Sequence, residues 1–490
     1  MKLKKILAGL EGIKGKGNFD KEITTIENDS RNIVKGSMFF AIKGFSTDGT
    51  QFIDKAIENG ATAVLVDETY DVRNSNIPED VTLIVVPDAR YAMAICACNF
   101  YDNPSRKLKL VGVTGTKGKT TTTYMMKEML QKQGHKTGLI GTIAIYSGDK
   151  KLEDSDRTTP ESIKLQKILA QMVDDGCEIV LMEVSSQSLK LNRVAGCEFY
   201  IGIFTNFSED HISPKEHPDM KDYFESKLKL MKMCKYGFIN ADDLQVSKVP
   251  SLLPDADIQT YGIDNYANLL AKDITITNSY VDFKVKINNK NERIKVGIPG
   301  RFSVYNSLAA ICVATKLGCD VEKIKESLLE VRVPGRSELV DNSKELTIMI
   351  DYAHSPESLA NILSAVKSYK RGRVISVFGC GGDRDTAKRA KMGEISGKIA
   401  DITIITSDNP RTEDPQSIVN QIEEGIKKTK GKYECIVDRV EAIKYAISIA
   451  NKKDLILLAG KGHEPYQEIN GVKHPFDERI IVNQIIKGEI

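Results

Sequence analysis

Thr114-Gly115-Thr116-Lys117-Gly118-Lys119-Thr120-Thr121 stands between an apolar run, LKLVGV, and a helical stretch, KTTTTYMMKEMLQKQG. Glycines at 115 and 118 let backbone N–H groups approach phosphate oxygens, and a helix N-terminus adds a favourable dipole. Lys119 would reach the β- and γ-phosphates, and Thr120 would ligate Mg²⁺. Val113 takes the place of the first glycine of the strict GxxxxGK[ST] pattern, so a plain glycine turn before a basic helix is the competing reading. Glu183 closes the apolar run IVLM. A charge at the end of a buried strand is costly unless paired or bound to a metal, and a hard oxygen beside a phosphate loop suits Mg²⁺. A solvated strand-end glutamate is the alternative. His211, in TNFSEDHIS, can help hold a metal, although a single histidine is as often structural. Lys227 lies in YFESKLKLMKMCK, and residue chemistry alone does not separate it from Lys229 or Lys232.

A second group of candidates lies in the last third. Asp408-Asn409-Pro410-Arg411 directly follows the strand-like run DITIITS. Proline stiffens the turn, and arginine offers a planar fork matched to a carboxylate. A solvent turn started by Asn-Pro is the alternative. GCGGDRD and GKGHE are glycine turns after strands, a common arrangement, and Arg389 reads as an ordinary basic helix residue.

Elements of a particular kind must position these residues. Five strand-like runs occur in the last third (TIMID, RVISVFG, DITIITS, ECIVD and DLILLAG), mostly separated by helical stretches such as PESLANILSAVKSY. That is the pattern of a doubly wound α/β domain, which binds ligands outside the carboxyl ends of its strands. Four of the runs lead straight into DYAHSP, GCGGDRD, SDNPR and GKGHE. Upstream, the glycine loop precedes a helix with Met125, Met126, Met129 and Leu130 on one face and Gly134 at its end. EIVLMEV and FYIGIFTN continue the α/β pattern, while residues 271–298 alternate as antiparallel strands do. The first segment combines the strand-like runs MFFAI, ATAVLV and TLIVV with one clear helix, QFIDKAIENG.

The chain has 490 residues, about three domains' worth at ~150 each. Boundaries are expected near Arg106 and Pro334, giving domains 1–106, 107–334 and 335–490. The net charge of +2 argues against a general binder of nucleic acid or anionic membranes. No apolar run approaches the ~18–20 residues needed to span a bilayer. The basic N-terminus has too short an apolar stretch for a secretory signal, so a soluble cytoplasmic protein is expected. Nine scattered cysteines without a CxxC pair suggest neither disulfides nor zinc, and Cys96 and Cys98 read as buried thiols.

Taken together, TGTKGKTTT, RTTPES, MEVSSQSL, TNFSEDH, IPGRFSVYNSLAA, VPGRSE, DYAHSPES, GCGGDRD, SDNPRTEDP and AGKGHEPYQ resemble the Mur ligases, ATP-dependent amide-forming enzymes of peptidoglycan precursor synthesis. The resemblance runs from Asp29 to beyond Glu464. It implies three α/β domains: an N-terminal domain for the UDP end, a central P-loop-type ATPase, and a Rossmann-like C-terminal domain for the amino acid. By that likeness Gly115, Thr116, Lys117, Gly118, Lys119, Thr120 and Thr121 bind ATP, with Asn306, Arg336 and Asp351 nearby. Ser30 falls on the uridine-nucleotide site, and Thr158, Thr159, Ser185 and Arg193 hold the muramoyl-dipeptide. Leu191 stands where many relatives have glutamine.

Lys119, Glu183, His211 and Lys227 match the catalytic set. Lys227 aligns with the lysine that the family carbamylates, and Thr120, Glu183, His211 and that carbamate would hold Mg²⁺. Asp408-Asn409-Pro410-Arg411 resembles the signature of enzymes that add meso-diaminopimelate, with Arg389, Gly460 and Glu464 as further contacts. The resemblance thus implies ligation of meso-diaminopimelate to UDP-MurNAc-L-Ala-D-Glu through an acyl phosphate. L-lysine as the added residue, a folylpolyglutamate synthetase, or a non-catalytic binder of UDP-sugar are the alternatives. Protein partners are not legible in the sequence.

Overall fold

The structure is a computed structural model that describes residues 1–44, 47–74, 76–213 and 216–490. The chain divides into two compact units: residues 1–268 with 309–319, and residues 269–308 with 320–490. Among the described residues no helix is long and apolar enough to cross a membrane.

In the first unit, five strands form a sheet in the order Lys14–Lys16, Thr82–Val86, Ala61–Asp67, Ser37–Phe40, Ile26–Glu27. Its inner strands are buried on both faces: Met38 and Phe40 join one core cluster, Phe39 the other. The expected strands form, as does the helix Ile53–Glu58. A second helix, Ala89–Phe100, went unassigned in the sequence. Its small and apolar residues are buried almost all round, Cys96 and Cys98 among them, so no 3.6-residue contrast marks it.

The central part of this unit positions the glycine loop. Strand β1 (Lys109–Thr114) runs parallel between β2 (Ile179–Glu183) and β3 (Phe199–Phe204), with β4 (Cys234–Asn240) beyond β3. Helix α1 (Lys119–Lys132) follows the loop and buries Met125, Met126, Met129 and Leu130, as the spacing requires. Helix α2 (Ser186–Lys190) follows β2, and α3 (Met220–Met233) precedes β4. Because β1 and β2 are in register with Val113 opposite Glu183, the acid that ends β2 comes level with the start of the loop.

The second unit holds an antiparallel sheet of Lys272–Ile276, Val281–Ile287 and Lys290–Val296, as the alternation predicts. All five C-terminal runs become parallel strands: β5 (Thr347–Asp351), β6 (Val374–Phe378), β7 (Ile402–Ile405), β8 (Lys432–Cys435) and β9 (Leu455–Ala459). Their order is β5-β9-β6-β7-β8, with Glu338–Leu339 antiparallel on β5. Helices α4 (Ala387–Ile399), α5 (Pro415–Ile426) and α6 (Arg439–Ile449) pack on this sheet. An ion pair unseen in the sequence ties the strand ends. Arg439 and Glu478, 0% and 1% exposed, lie 2.8 Å apart. Arg439 also donates to Ser407 O at 3.2 Å and Ala459 O at 2.9 Å, just past β7 and at the end of β9. Deleting one partner of such a pair costs about 3–5 kcal/mol, because the other charge stays buried.

Candidate active site

Gly115 has φ +144°, and a Cβ there would come 1.9 Å from Thr205 Oγ1. Only glycine lets the loop lie against the end of β3. Thr205 Oγ1 and Asn206 Nδ2 donate to Lys117 O at 2.7 and 3.0 Å, and Lys117 N donates to Asn206 Oδ1 at 2.8 Å. Among the described residues no side chain caps the N-terminus of α1, which suits a phosphate there. Lys119 Nζ folds over the loop and donates to Gly115 O at 2.8 Å and Thr116 O at 3.1 Å.

Glu183 is 1% exposed. Its Oε2 accepts from Thr120 Oγ1 at 2.9 Å and Thr142 Oγ1 at 3.0 Å, and its Oε1 accepts from Thr142 N at 2.9 Å. A hydroxyl and a carboxylate, both hard donors, thus meet beside the loop, a set that fits Mg²⁺. Lys227, on α3, is 1% exposed and donates to Gly115 O at 2.8 Å, the carbonyl that Lys119 also uses. Burial, and then the nearby charge of Lys119, hold its pKa well below the ordinary lysine value, with Asp210 opposing. His211 is partly exposed and lies 3.0 Å from Glu216 Oε2 through Nδ1. The structure therefore gathers Lys119, Thr120, Glu183 and Lys227 at one loop and ties His211 to Glu216.

The residues expected to hold the muramoyl-dipeptide adjoin Glu183. Thr159 Oγ1 donates to Glu183 O at 2.8 Å and accepts from Ser185 N at 3.1 Å. Arg193 donates to Thr159 O at 3.4 Å, and Thr158 Oγ1 lies 3.1 Å from Thr142 Oγ1. Leu191 caps the end of α2. Ser30 lines a cleft of about 1180 Å³ in the same unit, with Arg31, Arg157, Lys164 and Lys167 on its walls. Glu27, Asp29, Glu153, Asp156 and Glu161 line the same cleft, and Arg31, Arg157 and Lys164 are ion-paired to Asp29, Glu161 and Glu153, so the wall is charged but balanced.

In the second unit the four polar segments after the strands meet. Gly460 N donates to Asp351 O at 3.0 Å, and Gly382 N to Asn409 O at 2.9 Å. Asn409 Nδ2 donates to Glu464 Oε2 at 2.8 Å, and Asn409 Oδ1 accepts from the buried Lys461 at 3.0 Å. Burial raises the pKa of Glu464, with Lys461 opposing. Asp408 is 7% exposed, and its Oδ2 has no hydrogen-bond partner among the described residues. Gly460, at φ +114°, leaves room for that oxygen, since a Cβ would come 2.5 Å from it. Arg411, with φ +52°, follows Pro410 and donates to Gly382 O at 2.6 Å and Glu468 Oε2 at 3.2 Å.

Arg336 lies 4.8 Å from the Tyr352 ring, and Asp351 accepts from Ser337 N at 2.8 Å. Asn306 is buried in the helix Arg301–Lys316.

Arg389, an ordinary basic helix residue by its local sequence, lies inside the fold. It is fully buried, and its fork closes on both oxygens of Glu413 at 2.8 Å while it donates to Gly381 O at 3.2 Å. Here it braces the turn that presents Arg411. The Arg389 bond, then the amide of Asp383, hold the Glu413 carboxyl down at about 2 against the usual 4.5. A depressed acid stabilises the fold above its unfolded pKa and loses that contribution as pH falls through the folded one. Glu413→Gln should therefore destabilise at pH 7 and match the parent as pH drops from about 4.5 to about 2. Urea unfolding across that range checks this, and a pH-independent difference would contradict it.

With this geometry in view, the likenesses to known proteins are decisive. Residues 22–101 match the catalytic domain of the Mur ligase family, 113–314 the Mur ligase middle domain, and 335–462 the Mur ligase glutamate ligase domain. A UDP-N-acetylmuramoyl-L-alanyl-D-glutamate–2,6-diaminopimelate ligase of Caldanaerobacter subterraneus subsp. tengcongensis is 49% identical over 97% of this chain and 98% of its own. The chain belongs to the Mur ligase family. A solved UDP-N-acetylmuramoyl-L-alanyl-D-glutamate–2,6-diaminopimelate ligase superposes with a TM-score of 0.73 at 29% identity, covering 100% of this chain and 99% of its own. The MurF ligase of Thermotoga maritima, solved with ADP, shares the Mur ligase fold, with a TM-score of 0.60, 19% identity, and 96% and 98% of the two chains covered. The three-domain α/β reading of the sequence is that of a Mur ligase.

Proposed function

We propose that this Mur ligase joins meso-2,6-diaminopimelate to UDP-N-acetylmuramoyl-L-alanyl-D-glutamate at the expense of ATP. The observation that carries the reading is the pair at the C-terminal strand ends, the buried Asp408 Oδ2, unpartnered among the described residues, and the fork of Arg411 on the same turn. A buried carboxylate oxygen without a donor is costly, so it favours a ligand that brings an N–H. Arginine favours a ligand that brings a carboxylate. The distal carbon of diaminopimelate carries both groups; that of lysine carries the ammonium alone.

In the first step the D-glutamate γ-carboxylate attacks the γ-phosphorus of ATP, the bond to the bridging oxygen breaks, and ADP leaves an acyl phosphate. Lys119 and the amides at the start of α1 meet the charge on the transferring group in this largely electrostatic reaction. Thr120, Glu183 and Lys227, the last as a carbamate, would hold Mg²⁺, which when bound supplies neutralising charge at the phosphate oxygens. The burial and lowered pKa of Lys227 support the carbamate. A neutral amine adds to CO₂ and releases a proton, turning a would-be cation into an oxygen ligand. Thr158, Thr159, Ser185 and Arg193 hold the acceptor peptide, and Ser30 with the cleft it lines takes the uridine diphosphate end. In the second step the free amine of diaminopimelate attacks the acyl carbon, phosphate leaves with the bonding electrons, and the amine loses a proton to give the amide.

Phosphate release with ATP, Mg²⁺ and the UDP-dipeptide tests this, with meso-diaminopimelate or L-lysine supplied in parallel. Strong preference for diaminopimelate is expected. Preference for lysine would overturn the pocket assignment, and no release with either would overturn the ligase reading.

A further inference from the structure

The segment that carries Asp210 and His211 is held by a histidine that the chemistry above does not use. His217 is fully buried. Its Nδ1 lies 2.6 Å from Asp222 Oδ2 in the first turn of α3, and its Nε2 lies 2.9 Å from Ser186 Oγ in the first turn of α2. Beside an ionised carboxylate the proton sits on Nδ1, leaving Nε2 to accept from the serine. The same Asp222 oxygen accepts from Lys190 Nζ at 2.8 Å, and Lys190 also donates to Glu216 O at 3.0 Å. The backbone closes the bracket, His217 N donating to His211 O at 3.3 Å and Ser213 N to His217 O at 3.0 Å.

Hydroxyl, imidazole and carboxylate follow one another here as in a hydrolase relay. Yet Ser186 is 5% exposed, and Asp222 is shared with a lysine. The arrangement is a brace between two helices, and it bears on the centre through Tyr223. The His217 ring packs on the Tyr223 ring at 4.9 Å between centroids. Lys227 Nζ stands 4.5 Å from that same ring, and the Tyr223 hydroxyl lies 3.3 Å from Thr116 Oγ1 in the phosphate loop. At its near end the segment is tied to that loop by Thr205 and Asn206; at its far end His217 ties it to α2 and α3.

We propose that His217 is a positioning residue for the ligation centre: its two ring hydrogen bonds fix the segment bearing Asp210 and His211 against the helix that begins at Ser186 and the helix that carries Lys227. The inference rests on the ligase reading. An imidazole suits the task because it donates on one side and accepts on the other across a rigid ring. Phenylalanine keeps the ring packing on Tyr223 without either bond, and asparagine keeps a donor for Asp222.

The test compares the full-length parent, His217→Phe and His217→Asn in phosphate release with meso-diaminopimelate, alongside calorimetric binding of ADP with and without Mg²⁺. Loss of an orienting partner typically costs about 10–100-fold, so kcat of H217F should fall by that factor while KM for ATP and for the UDP-dipeptide changes less than about threefold. H217N should recover part of kcat, and the gain in ADP affinity that Mg²⁺ brings should shrink in H217F. If H217F does not fold, the same readouts on H217N decide, with a smaller loss of kcat expected. A parental kcat and a parental Mg²⁺ effect in the folded variants would overturn the proposal. So would a loss confined to KM or to melting temperature. An inactive parent would instead count against the ligase reading.

Discussion

Replacing Arg411 by alanine is expected to lower kcat/KM for meso-diaminopimelate about a thousandfold, since truncating one partner of a buried charge pair costs about 2–5 kcal/mol and each 1.4 kcal/mol is tenfold. KM for ATP should stay within about twofold, because Arg411 lies at the strand ends of the C-terminal sheet and not on the phosphate loop. Arg411→Lys should do little better. A lysine keeps the charge but loses the planar fork that now reaches Gly382 O and Glu468 Oε2. Asp408→Asn is the complementary change. It swaps an acceptor for an amide donor at the oxygen that has no partner among the described residues, so it should cost diaminopimelate and lysine alike. The discriminating result is the ratio of the two amino acids. In R411A that ratio should collapse toward unity, because the group that separates the substrates is the distal carboxylate. Preference that survives in R411A would show that another residue reads that carboxylate.

Lys119→Ala should lower kcat by about a thousandfold or more, in the range found when a positioned donor to a transferring phosphoryl group is removed. Lys119 Nζ sits 2.8 Å from Gly115 O and 3.1 Å from Thr116 O, the carbonyls that frame the loop. Its ammonium is thus held against the loop. Glu183→Gln should also be severe, about a hundredfold or more, although its shape is nearly that of the parent. The amide would still meet Thr142, but it would bring no charge to the place where Thr120 and the acid face each other. Calorimetry with the UDP-dipeptide separates this from misfolding: binding should persist in both variants while phosphate release is lost. A K119A enzyme that kept a tenth of parental kcat would remove the lysine from the mechanism.

Much of this was legible in the order of residues, because it depends on local patterns. The strand, glycine loop and helix around residues 109–132 follow from apolar runs and spacing. So do the five C-terminal strands and the polar turns that close four of them. These are effects within one or two turns of chain, where periodicity and backbone freedom decide. Motifs strung along most of the chain also carried the resemblance to the Mur ligases. The helix Ala89–Phe100 escaped because burial on nearly all sides erased its periodicity.

What tertiary structure alone decided is which charges meet. Lys227 is one of several lysines in its helix, yet only the packing of α3 brings it to Gly115 O, where burial lowers its pKa. Arg389 reads locally as an ordinary basic helix residue, and only the turn between β7 and α5 delivers Glu413 to it. Arg439 and Glu478, 39 residues apart, and the brace of Ser186, His217 and Asp222 left no local trace at all. Electrostatic partnership is set by distance and by the loss of water around a pair. Both are properties of the folded chain, and neither is written in the spacing of its residues.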